Sequence, residues 1–111
     1  MSAPTDLKFL IVDDFSTMRR IVRNLLKEAG HPNADEAEDG QAALNKLRGG
    51  NFQFVVTDIN MPRMDGLSLL QKLQEADDKL STIIVSAYGD MSNIRTAMNR
   101  GAFDFLTKPI D

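Results

Sequence analysis

The chain contains no cysteine and no tryptophan, and it has a single histidine, His31. The absence of cysteine excludes disulfides and thiolate metal sites, and it fits a cytoplasmic protein. His31 stands between Gly30 and Pro32, which is typical of a loop. The sequence therefore argues against histidine-based catalysis and against zinc binding.

Long hydrophobic runs and an excess of positive charge are also missing. No stretch approaches the roughly 20 apolar residues of a membrane span, and residues 1–6 lack the charged and apolar regions of a secretory signal. We therefore expect no membrane partner, and the net charge of −3 gives no reason to expect a nucleic-acid partner. Four basic residues do cluster, but their spacing suits the solvated face of one helix: Arg19, Arg20, Arg23 and Lys27.

Short apolar runs alternate with segments of helical period. This alternation is typical of βαβ units and a parallel sheet, in a single α/β domain spanning residues 1–111. Strands are predicted at residues 9–12, 34–37, 54–57, 83–85 and 103–107. The four predicted helices carry apolar residues at Ile21, Val22, Leu25, Leu26 and Ala29, then Ala42, Ala43, Leu44 and Leu47, then Leu67, Leu70 and Leu73, then Ile94, Ala97 and Met98. Right-handed crossovers place helices on both faces of the sheet.

The fifth strand has no helix after it, because the chain stops at Ile110 and Asp111. Both faces of a parallel sheet need cover, so we expect one face to be under-covered. An exposed apolar patch there favours self-association, as a homodimer, or docking of a segment absent from the chain.

Polar residues follow four of the predicted strands. Asp13 and Asp14 follow the first strand, Asp58 the third, Ser86 the fourth and Lys108 the fifth. The carboxyl ends of parallel strands share one edge, where ligands bind in open α/β sheets, so these side chains are expected to converge.

Asp58 is the candidate nucleophile at this edge of the sheet. A carboxylate can attack phosphorus and form an acyl phosphate when positive charge neutralises the phosphoryl oxygens. Lys108 adds a fixed cation, and the Ser86 hydroxyl can donate to a phosphoryl oxygen.

The carboxylates also predict a Mg2+ site. Mg2+ is a hard ion that takes one or two carboxylates together with water and phosphate oxygens. Asp14 and Asp58 are the expected direct ligands, and Asp13 is expected to act through water. The backbone carbonyl of Asn60 is a further candidate.

Each of these residues also has a purely structural interpretation. An Asp between a strand and a helix is often an N-cap, which applies to Asp13 and Asp14. Asp58 precedes turn-forming residues, Ser86 alone would be a strand-end hydroxyl, and Lys108 alone a surface lysine. Convergence of four strand ends favours the functional interpretation.

These motifs resemble the receiver domain of two-component response regulators, from about Leu7 to Ile110. The matching segments are Val12-Asp13-Asp14, Asp58-Ile59-Asn60-Met61-Pro62 with Met64-Asp65-Gly66, Ser86-Ala87, and Lys108-Pro109. The resemblance implies a flavodoxin-like, doubly wound, five-stranded parallel sheet of order 2-1-3-4-5, with the last helix absent here.

The resemblance also implies roles for individual residues. Receivers take a phosphoryl group from a histidine kinase, a phosphotransfer domain or a small phosphodonor, onto the aspartate that Asp58 matches. Ser86 and Lys108 match the residues that assist, and Pro109 matches a cis-proline. Ser86 and the aromatic Phe105 match the switch residues.

Three features qualify this resemblance. The part from Leu7 to Leu47 is similar to chemotaxis receivers of the CheY type, whereas Met61 to Asp111 is more similar to receivers attached to output domains. The chain is therefore a candidate hybrid. Phe105 also stands where CheY-type proteins have tyrosine, and the absent fifth helix indicates C-terminal truncation.

Two other function classes remain open. Aspartate-nucleophile phosphatases resemble Asp-x-Asp, and Asn60 stands in place of the second aspartate, which disfavours rapid hydrolysis. Alternatively, the chain is a recombined or truncated receiver that acts as a self-associating scaffold with an idle phosphate site.

Overall fold

Strands and helices alternate along the chain, as the apolar pattern predicts. The computed structural model describes residues 7–50, 52–58, 69, 71–72, 80–87 and 89–108. The elements are β1 (Phe9–Val12), α1 (Ser16–Glu28), β2 (Ala34–Ala37), α2 (Gly40–Gly49), β3 (Phe54–Asp58), β4 (Ser81–Ala87), α3 (Met91–Asn99) and β5 (Asp104–Lys108).

The predicted third helix lies largely outside the described residues. Leu69, Gln71 and Lys72 are helical, in the middle of the expected segment. The predicted fourth helix is α3. Within the described residues, which end at Lys108, no helix follows β5.

The five strands form one parallel sheet in the order β2-β1-β3-β4-β5, which confirms the predicted flavodoxin-like topology. The register brings the strand ends level with one another. Val12 pairs with Thr57, Asp58 with Val85, and Ala87 with Lys108. Residues that follow these pairs therefore meet at the carboxyl edge of the sheet.

Alternate strand residues build a core on each face of the sheet. On one face, Leu10 and Val55 pack with Ala43 of α2 and with Leu69. The opposite face packs β1 and β3 against Val22 of α1. Each fully buried aliphatic side chain contributes about 1.5–3 kcal/mol, so the two clusters hold the central strands in register.

Residue types that are typical of helix ends mark the start of α2 and the end of α1. Asp39 caps α2 by accepting a hydrogen bond from the Ala42 amide at 2.8 Å. Gly30 has φ of 91°, a left-handed conformation that glycine adopts without a Cβ clash, and it follows the last turn of α1 as predicted.

The edge strand β5 carries exposed apolar side chains: Phe103 just before it, and Phe105 and Leu106 within it. We call these three residues the β5 edge. Leu106 pairs with Val85, whose side chain lies on the same face of the sheet as α1. On that face α1 packs against β1 and β2, at the other end of the sheet from β5. It is 43% exposed, and Phe103 is 63% exposed. Exposed apolar side chains are therefore present on this edge strand, and a contiguous apolar patch stays a prediction.

The prediction that Met98 is a core residue is wrong. Met98 was expected on the buried face of the fourth helix with Ile94 and Ala97. Ile94 and Ala97 are buried, but Met98 is 39% exposed, because α3 turns it toward solvent rather than toward the sheet. Among the described residues, no helix is both long enough and apolar enough to cross a bilayer.

Candidate functional site

Three carboxylates meet where β1 and β3 end. Asp13 and Asp14 follow Val12, Asp58 ends β3, and the two strands are neighbours in the sheet. One carboxylate oxygen from each residue lies within 4.8 Å of the other two. Asp13 and Asp58 are buried and Asp14 is exposed, so the cluster opens to solvent on one side.

The turn that carries Asp13 is held on three sides. Its amide donates to the Ala37 carbonyl at 3.2 Å, and its Oδ1 accepts from the Phe15 amide at 3.0 Å. Its carbonyl accepts from Arg19 Nη1 at 2.6 Å. The N-cap of α1 is Phe15, and it makes no side-chain cap bond. The interpretation of Asp13 and Asp14 as simple N-caps is therefore wrong.

The sequence predicted that Arg19 and Arg23 lie on a solvated helix face. The structure shows instead that both side chains are paired with an acidic residue. Arg19 Nε donates to Glu36 Oε1 at 2.9 Å, and Arg23 Nε donates to Glu36 Oε2 at 2.8 Å. Arg20 and Lys27 are exposed, as expected. Burial raises the pKa of Glu36, but the hydrogen bonds from Arg19 and Arg23 outweigh it and leave that pKa below its usual value. Arg19 thus ties β2 to the acidic turn.

Ser86 lies on β4 at the same edge of the sheet. Asp58 pairs with Val85, so Ser86 is one residue further toward the rim. Its side chain is fully buried, and its hydroxyl donates to Asp90 Oδ2 at 3.2 Å. The hydroxyl therefore has a protein acceptor other than the acidic cluster.

The remaining predicted site residues are only partly described. Lys108 ends β5 and pairs with Ala87, which places its backbone at the carboxyl edge. The Lys108 side chain, Asn60 and Pro109 lie outside the described part of the chain, so their roles stay predictions. Phe105 lies on β5 beside Ile84 and is 36% exposed.

Sequence reasoning missed two polar residues next to Ser86. Asp90 accepts from Asn93 Nδ2 on both carboxylate oxygens, at 3.1 Å and 3.0 Å. A sequence signal did exist, because Asp90 and Asn93 have the i, i+3 spacing of neighbours on one helix face. Their link to Ser86 depends on the turn between β4 and α3.

The acidic cluster fits Mg2+. It offers three oxygen ligands close together, which is the donor chemistry that this ion prefers over nitrogen and sulfur sites. A bound cation would also relieve the repulsion among three neighbouring carboxylates.

Comparison with known proteins gives one consistent family. The model of the response regulator receiver domain matches residues 9–111. Chemotaxis protein CheY-3 of Vibrio cholerae is 46% identical over 107 residues, covering 94% of this chain and 82% of that protein.

Solved structures agree with the sequence match. The receiver domain of NtrX from Brucella abortus superposes with a TM-score of 0.88 at 31% identity, covering 94% of this chain and 88% of that one. In a longer NtrX structure solved with ADP, the match covers only 24% of the NtrX chain. TrrA of Thermotoga maritima, solved in complex with Mg2+-BeF, gives a TM-score of 0.83 at 28% identity, covering 95% and 89% of the two chains.

Proposed function

The chain belongs to the response regulator receiver domain family, and from this we propose that it is a phosphoacceptor switch in which Asp58 takes a phosphoryl group with Mg2+ as cofactor. The observation that carries the proposal is the cluster of Asp13, Asp14 and Asp58 at the ends of two adjacent strands. The TrrA complex with Mg2+-BeF supports the metal.

The transfer is a substitution at phosphorus. A carboxylate oxygen of Asp58 forms a bond to phosphorus, and the bond from phosphorus to the donor breaks. The donor's leaving oxygen or imidazole nitrogen keeps the electron pair, so the products are an acyl phosphate and the freed donor. Thr57 Oγ1 donates to the Asp58 carbonyl at 3.1 Å, which fixes the backbone of the nucleophile.

The surrounding residues have separate tasks. Asp13, Asp14, Asp58 and the carbonyl of Asn60 would hold Mg2+, which supplies positive charge to the phosphoryl oxygens. Ser86 would donate a hydrogen bond to the phosphoryl group. The remaining assigned residues are Lys108 as the fixed cation, Phe105 as the switch aromatic and Pro109 as a cis-proline.

The partners follow from the family. A histidine kinase or a phosphotransfer domain is the proposed donor, in the cytoplasm, and small phosphodonors substitute for it. The domain assists its own phosphorylation and dephosphorylation and has no separate substrate to turn over, so it is not an enzyme in the usual sense.

The test is phosphorylation by acetyl phosphate, followed by intact mass. The wild type should gain one phosphoryl group in Mg2+, and none after chelation by EDTA. Asp58→Asn should abolish the gain because an amide is a poor nucleophile. Asp104→Asn is the matched control, since it removes an exposed carboxylate on β5 and should leave the gain intact. An adduct on Asp58→Asn, or none on the folded wild type, would contradict the proposal.

A second candidate function is a self-associating scaffold with an idle phosphate site. The observation that favours it is the exposed β5 edge, where Phe103 and Leu106 offer apolar surface to a second copy of the chain. A homodimer through this surface is compatible with phosphorylation, but a Mg2+-dependent adduct on Asp58 would refute the idle site.

A further inference from the structure

The hydroxyl of Ser86 is already engaged within the protein. It donates to Asp90 Oδ2 at 3.2 Å, and Asn93 Nδ2 donates to both oxygens of the same carboxylate. We propose that Ser86, Asp90 and Asn93 form a clasp that holds this hydroxyl away from Asp58. In this proposal, which rests on the function proposed above, Asp90 and Asn93 are positioning residues that set how readily the switch responds.

The clasp competes with phosphoryl binding because a serine hydroxyl has one proton to donate. While that proton is directed to Asp90, it cannot be donated to a phosphoryl oxygen on Asp58. Ser86 is fully buried, so water does not offer its hydroxyl an alternative acceptor. Hydrogen bonds to a carboxylate are stronger than bonds between neutral groups. Breaking the bond from Ser86 to Asp90 therefore costs free energy, which reduces the net gain when Ser86 binds the phosphoryl group.

The Asp90 side chain bonds to Ser86 and Asn93 and does not cap α3. Asp90 stands at the N-cap position of α3, yet its side chain makes no cap bond. Gly89 has φ of 90°, a left-handed turn that brings the chain back so that Asp90 reaches Ser86. Asn93 holds the carboxylate from the first turn of the helix.

Loss of the bond between Ser86 and Asp90 would affect the first turn of α3 as well as the acidic cluster. The Asp90 carbonyl accepts from the Ile94 amide at 3.1 Å, so Asp90 joins the Ser86 hydroxyl to the first turn of the helix. When Ser86 turns toward a phosphoryl group, the carboxylate of Asp90 loses one donor. The state of Asp58 thereby becomes detectable at α3.

The first test measures binding of fluoroberyllate in excess Mg2+, followed by 19F NMR. Asp90→Ala should tighten binding by about threefold to tenfold, because the competing acceptor is gone. Asn93→Ala should act in the same direction but less strongly. The Asp90→Ala effect should vanish in a Ser86→Ala background, where there is no hydroxyl to release.

The double-mutant cycle separates the clasp from simple charge removal. If Asp90→Ala tightens binding equally in both backgrounds, the effect comes from removal of a charge and the proposal is overturned. If Asp90→Ala tightens binding in neither background, the proposal is also overturned. Thr96→Ala is the matched control, because it removes the bond from Thr96 Oγ1 to the Ser92 carbonyl within α3, at 2.9 Å, and leaves the clasp intact. It should leave binding unchanged.

A second readout needs no ligand. Amide hydrogen exchange at Ile94 should accelerate by about threefold or more in both Ser86→Ala and Asp90→Ala, since either change frees one side of the clasp. Unchanged exchange in Ser86→Ala would overturn the clasp. Wild-type protein that fails to bind fluoroberyllate would instead refute the proposed function, and the exchange experiment would still decide the clasp.

Discussion

At the scale of single residues, two buried threonines on neighbouring strands differ in how their hydroxyls are satisfied. Thr57 and Thr82 are both fully buried. Thr57 Oγ1 donates to the Asp58 carbonyl, whereas Thr82 Oγ1 has no hydrogen-bond partner among the described residues. A buried hydroxyl without a partner costs free energy, while a bonded one contributes it.

Valine substitutions should therefore have opposite effects at the two positions. Thr82→Val should raise the free energy of unfolding by about 1 kcal/mol, because it removes an unsatisfied polar atom and keeps the shape. Thr57→Val should lower it by about 1 kcal/mol. Urea denaturation at neutral pH measures both changes, and a loss of stability in Thr82→Val would contradict the prediction.

Single residues also show where sequence reasoning succeeded and where it stopped. Asp13, Asp14 and Asp58 could be grouped from sequence because strand ends of a parallel sheet must share an edge. Asp90 and Arg19 could not be assigned in this way. Their bonds to Ser86 and to the Asp13 carbonyl depend on a turn and on side-chain direction, which no periodicity encodes.

At the scale of elements, ion pairs fasten the polar strand β2 to the helices beside it. Glu36 pairs with Arg19 and Arg23 of α1, and Asp35 pairs with Lys46 of α2 at 2.9 Å. The hydrogen bond from Lys46 lowers the pKa of Asp35, and burial opposes it. The charged side chains of β2 thus help to position this strand, and charge also protects an edge strand from unwanted pairing.

These pairs predict a loss of stability in acid. The pKa of Glu36 is lower in the folded protein than its ordinary value of 4.5, so the unfolded chain takes up a proton first as the pH falls. The stabilisation is complete above pH 4.5 and disappears as the pH falls through the folded-state pKa. The side chains of these ion pairs are partly exposed, so we expect them to contribute about 1 kcal/mol or less to the free energy of unfolding.

Urea unfolding of wild type and Glu36→Gln across this range tests the effect. The wild type should be more stable at pH 7, and the difference should shrink below pH 4.5. Glu38→Gln, which changes an exposed carboxylate nearby, is the matched control and should show a smaller difference from the wild type at pH 7. A Glu36→Gln difference that grows in acid would contradict the linkage.

The elements themselves followed the sequence closely. Apolar runs and helical periods located β1, β3, α1 and α2, because one buried face per element imposes these patterns. Position on the helix circumference was less certain, as exposed Met98 shows, since a nine-residue helix can rotate slightly without losing its core contacts through Ile94 and Ala97.

At the scale of the whole molecule, the β5 edge carries exposed large apolar side chains on the outermost strand of the sheet. The strand order followed from family resemblance and from the alternation of elements, whereas the under-covered face, which came from counting helices against strands, stays a prediction. The expectation that the domain is truncated at its C-terminus, or a hybrid of two receivers, stays a prediction.

Self-association should depend on this edge. Light scattering and sedimentation across concentration should show a monomer–dimer equilibrium for the wild type. Leu106→Glu should weaken it by about tenfold or more, because a charge would be buried in the contact. Phe15→Glu is the control, since Phe15 is 64% exposed but lies at the start of α1. A monomer at every concentration, or equal weakening by both variants, would contradict the dimer.

The register of the sheet has a consequence for biosynthesis. Asp13, Asp58 and Ser86 come from three strands that are far apart along the chain but adjacent in the sheet. Long-range pairings of this kind form only after the intervening segments are available. The three residues can therefore come together only after β4 has been synthesised, so this edge of the sheet assembles well after Asp13 and Asp58 have left the ribosome.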